Sequence, residues 1–348
     1  MPKTGAAPNP RLPFLPFISA KILHRGFGGC ETPQRLRMKH ASAVVLFVLS
    51  GPAAAFELAW PTDCALGDTC HIQQYFDHDT GPLAQDFTCG LLSYDGHDGT
   101  DIALATRAQM AQGVAVLAAA PGVVKGGRDG VADFEPFVAG RECGNGVLIE
   151  HEGGWETQYC HLRQGSVLVQ AGDKVDAGTP LGLIGQSGMA DFPHLHLSVR
   201  QNGIEVDPFD PTATTCGPNG TTLWATPIAY EPGGILDAGF SPAVPDFDTI
   251  RAGLPTLPLP DTAPGLVLWA FLYGSQAGDQ VLFQIAGPAG TLLEEVSVLE
   301  KPQAQLFRAM GKRLTTTTWP AGIYAGRVVL QREGQAVDQK EVTVQIAP

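Results

Sequence analysis

The chain has 348 residues, more than one ordinary domain needs and enough for two, and with 44% hydrophobic and 16% charged residues it can bury a core. Its formal net charge is −13; without residues 1–55, which hold seven of the 22 basic and one of the 35 acidic groups, 15 face 34 and the charge is −19. That balance repels polyanions, excluding nucleic acid and anionic membrane surfaces as partners, and says little about a neutral or zwitterionic substrate.

The 42 glycines and 28 prolines, with no long helical periodicity, favour strands joined by turns, so an all-β protein is expected. The first signal in chain order is MKHASAVVLFVLSGPAAAFE, which begins at Met38. Lys39 and His40 give a positive start, Ala41 to Leu49 an apolar run, and Ala53-Ala54-Ala55 a small-residue cleavage site before Phe56. The run is shorter than the roughly 20 apolar residues of a membrane span, so no stable membrane insertion is expected. Residues 38–55 are therefore expected to be a removed export signal, with the mature chain periplasmic or secreted. Residues 1–37 are expected to lie upstream of a true start at Met38.

Cys30 falls in this leader, leaving an even six cysteines, as an oxidising compartment favours. CGNGVLIEHEGGWETQYC reads as a hairpin turning at Glu152 to Gly154, which puts Cys143 across from Cys160. Cys64 with Cys70 would close a short loop, and Cys89 with Cys216 would tie the start of a domain to its end. A cysteine zinc site is unsupported, because the chain has no C-x-x-C pair.

After a loop-rich stretch from Phe56 to Ser93 come short strand signals: VAVLAAAPGVVKGG, NGVLIEHE, ETQYCHL, PLGLIGQSG and HLHLSVR. They end near Pro211 and Cys216, giving a first module over residues 56–216. Residues 217–264 are rich in proline and glycine; part of the stretch could pack as strands, but its composition resembles a semi-rigid connection, which is what is expected. From Gly265 to Pro348 six alternating runs predict a small β-sandwich of immunoglobulin-like kind, without histidine, cysteine or a catalytic constellation.

Seven histidines follow the leader, and all lie in the first module. In YDGHDGTDIALAT, His97 and Asp101 stand four apart; an extended path would separate their Cα atoms by roughly 13 Å, so a turn at Gly99 is needed to bring both to one ion. In FPHLHLSVRQNG, strand periodicity puts His194, His196, Ser198 and Arg200 on one face and Leu195, Leu197 and Val199 on the other. In QYCHLRQG the same rule puts Tyr159, His161 and Arg163 on one face, opposite Cys160 and Leu162. Position alone does not bring His161 to the others. His71, His78 and His151 read as surface histidines without a role. GQSGMA lacks the G-x-S-x-G spacing of a nucleophile elbow, so a serine hydrolase is unsupported.

Taken in order, these motifs from about Gly96 to Pro208 resemble the lysostaphin-type, LytM-like zinc metalloendopeptidases that hydrolyse peptidoglycan. The resemblance implies a β-rich groove with Zn2+ held by His97, Asp101 and His196, and with His161 and His194 at the two catalytic positions that are not ligands. It also implies a peptidoglycan peptide as substrate; an envelope-protein partner through the second module is a separate expectation. Two departures stand out: the cysteines flanking the central hairpin, which should stiffen the strand of His161, and MADFPHLH, which puts Phe192 at the groove rim. The rival reading is a non-catalytic envelope protein of the same fold that binds peptidoglycan or activates another hydrolase. Such relatives have usually lost ligands, whereas all five residues are present here.

Overall fold

A computed structural model describes residues 55–136, 138–217 and 220–348. The expectations for the leader fall on residues outside this set, Ala55 apart. The described residues pack as one unit containing two β assemblies. Among them, no helix is long and apolar enough to cross a membrane.

The first assembly holds β1 (His71–Gln74), β2 (Thr100–Ala103), β3 (Ala115–Leu117), β4 (Gly122–Arg128) and β5 (Asn145–Glu150). It continues with β6 (Trp155–Leu162), β7 (Lys174–Val175), β8 (Pro180–Leu183), β9 (His194–Gln201) and β10 (Ile204–Glu205). Eight of these form one antiparallel sheet in the order β1-β2-β9-β6-β5-β4-β7, with β10 on β9; β3 and β8 pair separately. The sheet forms because its strands alternate. Leu195, Leu197 and Val199 of β9 are fully buried beside Ile102 and Ile149, each worth about 1.5–3 kcal/mol on burial, and the residues between them are left for the opposite face. The helix α1 (Arg107–Gln112) starts at a capping box of Thr106 and Gln109.

The second assembly holds β11 (Gly234–Ser241), α2 (Phe247–Gly253), β12 (Leu259–Pro260), β13 (Gly265–Ser275) and β14 (Gln280–Gly287). β15 (Gly290–Val298), β16 (Gln303–Arg313), β17 (Gly322–Arg332) and β18 (Gln335–Ala347) complete it. Sheet β11-β13-β16 packs on sheet β12-β18-β17-β14-β15 around Phe240, Leu268, Phe283 and Leu330. Every residue of β13 is buried, because its second face, carrying Trp269 and Phe271, lies under Ile250 and Phe247 of α2.

This corrects the reading of residues 217–264 as a connection. β11 pairs with β13 from Gly234 to Ser241, and Asp246 caps α2, so this stretch supplies a sheet strand and the cover of β13. Proline and glycine crowd its flanks, while the run between them is apolar enough to be buried. The two assemblies meet where Gln73 Nε2 donates to the Ala304 carbonyl (2.9 Å), Gln305 Nε2 donates to Gln73 Oε1 (3.1 Å), and His71 lies against Tyr273 with ring centres 4.4 Å apart.

The three disulfides are Cys64–Cys70, Cys89–Cys216 and Cys143–Cys160, the pairs expected from the sequence. The hairpin between β5 and β6 turns at Glu152–Gly154, also as expected.

Candidate metal centre and groove

The sheet order brings the two distant motifs together. β2 and β9 are antiparallel neighbours with Asp101 directly opposite His196, and His97 comes from the turn just before β2. His97 Nε2 lies 3.1 Å from Asp101 Oδ1 and 3.1 Å from His196 Nδ1, and His196 Nδ1 lies 2.8 Å from Asp101 Oδ1. Gly99 permits this less as a bend than by having no side chain: a Cβ there would sit 2.8 Å from His196 Nε2 and 2.6 Å from the Leu197 carbonyl.

The outer ring nitrogens define the tautomers. His97 Nδ1–H donates to the Tyr75 carbonyl (2.7 Å), which leaves its Nε2 lone pair aimed inward. His196 Nε2 meets Asp98 Oδ1 and Ser198 Oγ, both at 3.0 Å, so the nitrogen facing Asp101 is again the inner one. Three buried donor atoms, two imidazole nitrogens and a carboxylate oxygen, thus lie within 4.8 Å of one another. Ligands about 2.0–2.1 Å from a tetrahedral ion stand about 3.3 Å apart, so this set fits a metal of zinc's size and ligand preference.

The electrostatics favour a cation here. Burial alone would lower the pKa of His196, but hydrogen bonds and negative charge from Asp101 and Asp98 outweigh it and raise the pKa to about 9. Burial pushes the Asp101 carboxyl up, yet electrostatic attraction to the His97 and His194 rings and the hydrogen bonds with His196 and His97 bring it well below the usual carboxylate range.

His194 and His161 line the same groove, their ring centres 4.6 Å apart. His194 Nδ1–H donates to the Phe192 carbonyl and His161 Nδ1–H to the Ser187 carbonyl, both at 2.8 Å. Each therefore keeps an unprotonated Nε2, and that of His194 lies 3.6 Å from Asp101 Oδ1. Burial, reinforced by the neighbouring His194 and His196, pulls His161 down to about 3, and burial likewise lowers His194, so both rings are neutral near pH 7. The groove, about 510 Å³, is also lined by Tyr94, Glu142, Gln158, Phe192 and Arg200.

Strand alternation held for β9 and failed for β6. Tyr159 is buried, with its hydroxyl accepting from the Ala119 N–H, while His161 stands with Gln158 and Cys160 on the groove side. The cause is a left-handed backbone at His161, φ 62°, which reverses the side its ring takes. His71, His78 and His151 are not at the surface. His78 pairs with Asp207 (2.8 Å), His151 binds the Pro121 carbonyl and Thr157, and His71 meets Gln73, so each is buried with a partner and none joins the groove. Asp98 was not singled out by sequence; its signal was its place beside His97 in HDGTD.

Residues 95–208 match the profile of Peptidase family M23. Over 85 residues the chain is 40% identical to the DD-carboxypeptidase/endopeptidase Mpg of Neisseria meningitidis serogroup B, covering 24% of this chain and 19% of that protein. It is 34% identical over 111 residues to the peptidoglycan DD-endopeptidase ShyA of Vibrio cholerae, covering 32% and 22%. The chain thus spans about a fifth of the length of these relatives. A zinc containing peptidase from Vibrio cholerae aligns with 44% of this chain and 39% of its own, at 27% identity and a TM-score of 0.31. Motif spacing, family match and relatives agree on one stretch: residues 95–208 are what this chain shares with peptidase family M23, the LytM-like family.

Proposed function

We propose that the first assembly, residues 56–216, is a zinc-dependent endopeptidase that hydrolyses peptide bonds in the cross-links or stem peptides of peptidoglycan. The observation that carries this reading is the convergence of His97 Nε2, Asp101 Oδ1 and His196 Nδ1 beside a groove that Asp101, His196 and two neutral histidines line. Bound there, zinc would supply Lewis acidity toward an amide carbonyl and toward water.

The chain's own groups do the rest. Tyr75 and Asp98 hold the outer nitrogens of the two imidazoles, which turns their inner nitrogens toward the site. The Nε2 atoms of His161 and His194 are the bases within the groove: one orients water and accepts its proton, and the Nε2–H so formed donates to the departing amine or to the oxygen that gains charge. Burial keeps both rings neutral at neutral pH, so the lone pair of each Nε2 is available. Tyr94 and Phe192 lie tilted against His97 and His194, with ring centres 4.5 Å apart in each pair, and limit the rotation of both rings. The names of the relatives supply the substrate class, and the acidic surface favours a zwitterionic peptide over a polyanion. In this reading the chain acts after export, and residues 265–348, with β11 and α2, carry the peptidase and contact an envelope partner.

Residues 56–348 incubated with purified cell wall, with and without a chelator, test this. Chelator-sensitive release of new amino termini is expected, and it should be lost in His196→Ala. Cell-wall binding without release, unchanged in His196→Ala, would favour the non-catalytic reading.

A further inference from the structure

The groove wall contains a disulfide that a bound metal would not touch: Cys143 and Cys160 line it beside His161, and Cys160 lies opposite His196 across β6 and β9. On the hydrolase reading above, we infer that this disulfide is a positioning element for His161, keeping its imidazole on the groove side of β6.

The argument starts from alternation. Tyr159 points away from the groove into the core, so a fully extended β6 would send residue 161 the same way. The ring reaches the groove only because His161 has φ 62°, a conformation few L residues adopt without outside support. Two residues supply that support, Cys143 and Ser187. The His161 N–H donates to the Cys143 carbonyl (2.9 Å), and the disulfide fixes Cys143 to the residue just before His161. Gln158 Nε2 reaches both sulfurs at 3.5 Å. Beyond Cys143, Asn145 N–H donates to Ser187 Oγ (2.9 Å), and Ser187 offers its carbonyl to His161 Nδ1. Gly144, at φ 61°, lies so close to Ser187 that a Cβ would come within 2.5 Å of it.

On its other side Cys143 follows the exposed residues 138–142, so without the sulfur bridge the carbonyl that holds His161 is tied to β6 by hydrogen bonds alone. His97, Asp101 and His196 stand on β2, β9 and the turn before β2, which the bridge does not join. Cutting it should therefore release His161 and spare the metal donors. Cys64–Cys70 and Cys89–Cys216 do not line the groove.

A double-mutant cycle tests this on residues 56–348. Cys143→Ser with Cys160→Ser should lower kcat about tenfold or more, with KM little changed and zinc stoichiometry kept. In the His161→Ala background the same pair should change kcat by less than about twofold, because the residue it acts through is gone. An equal fold-loss in both backgrounds, or no loss in the parent, overturns the inference. Where the serine pair fails to fold, Cys143→Ala with Cys160→Val fills the space without a bridge and must give the same non-additivity. A parent chain that releases no amino termini from cell wall overturns the hydrolase reading and this inference with it; an active parent indifferent to the bridge overturns only the inference.

Discussion

His196 Nδ1 lies 2.8 Å from Asp101 Oδ1 although 95 residues separate them, because β2 and β9 are antiparallel neighbours in register at this pair. The register is held from below: Leu195 and Leu197 are fully buried, and a slip by one residue would put them in the groove and the histidines in the core. The core thus sets the spacing of the donors. Substituting Leu197 with Ala should cost about 2–5 kcal/mol of stability and lower metal affinity as well. Denaturant unfolding and chelator competition on one preparation would check the pair of effects; a stability loss with unchanged affinity would sever the link.

Removing a donor should remove the metal. Asp101→Ala and His196→Ala are expected to hold less than about a tenth of the parent's zinc after dialysis, by elemental analysis, with cell-wall release near background. Treating the parent with chelator should match them, and added zinc should restore only the parent.

Asp98 touches His196 from outside, its oxygen 3.0 Å from Nε2. Asp98→Ala leaves all three donors in place but loosens the orientation of one ring, and about a 10–100-fold loss of metal affinity is expected. Competition with a chromogenic chelator measures it. Equal affinity would mean that Ser198 alone orients the ring.

His71 gives the fold an acid-sensitive seam away from the candidate metal centre. Burial holds its pKa near 4, against 6.5 in an unfolded chain, with the hydrogen bond to Gln73 opposing weakly. Between those values the unfolded chain binds the extra proton, so stability rises with pH; His71 is neutral and costs nothing above about 6.5, and its destabilisation grows as pH falls to about 4. The full effect is on the order of 3 kcal/mol. Urea unfolding at pH 7 and pH 4.5 should show a smaller pH difference in His71→Gln than in the parent.

What the sequence revealed and what it hid follow from the range of the interactions. The shared face of His194 and His196 was legible because period-two alternation is local and Leu195, Leu197 and Val199 mark the other side. The side taken by His161 was not, because its backbone is turned by Cys143 and Ser187, contacts that only folding brings close. The same applies to β11, whose partner β13 lies beyond a helix, and to His78, buried only because Asp207 meets it from 129 residues away. Single histidines carry no mark of burial. Asp98 was hidden for another reason: a carboxylate next to a ligand is common in turns, and only the direction of its side chain makes it a partner of His196.

One further result lies at the far edge of the eight-stranded sheet. β1 is its last strand, and one flank of such a strand offers unpaired amides and carbonyls to any passing chain. Here the Gln73 side chain binds the Ala304 carbonyl and the Gln305 side chain, and His71 lies against Tyr273, so β1 meets the second assembly through its own side chains. A chain cut after Cys216 would keep every residue of the metal centre and lose these contacts. Such a chain is expected to aggregate more readily than residues 56–348, which would make the sandwich a solubility guard for the first assembly.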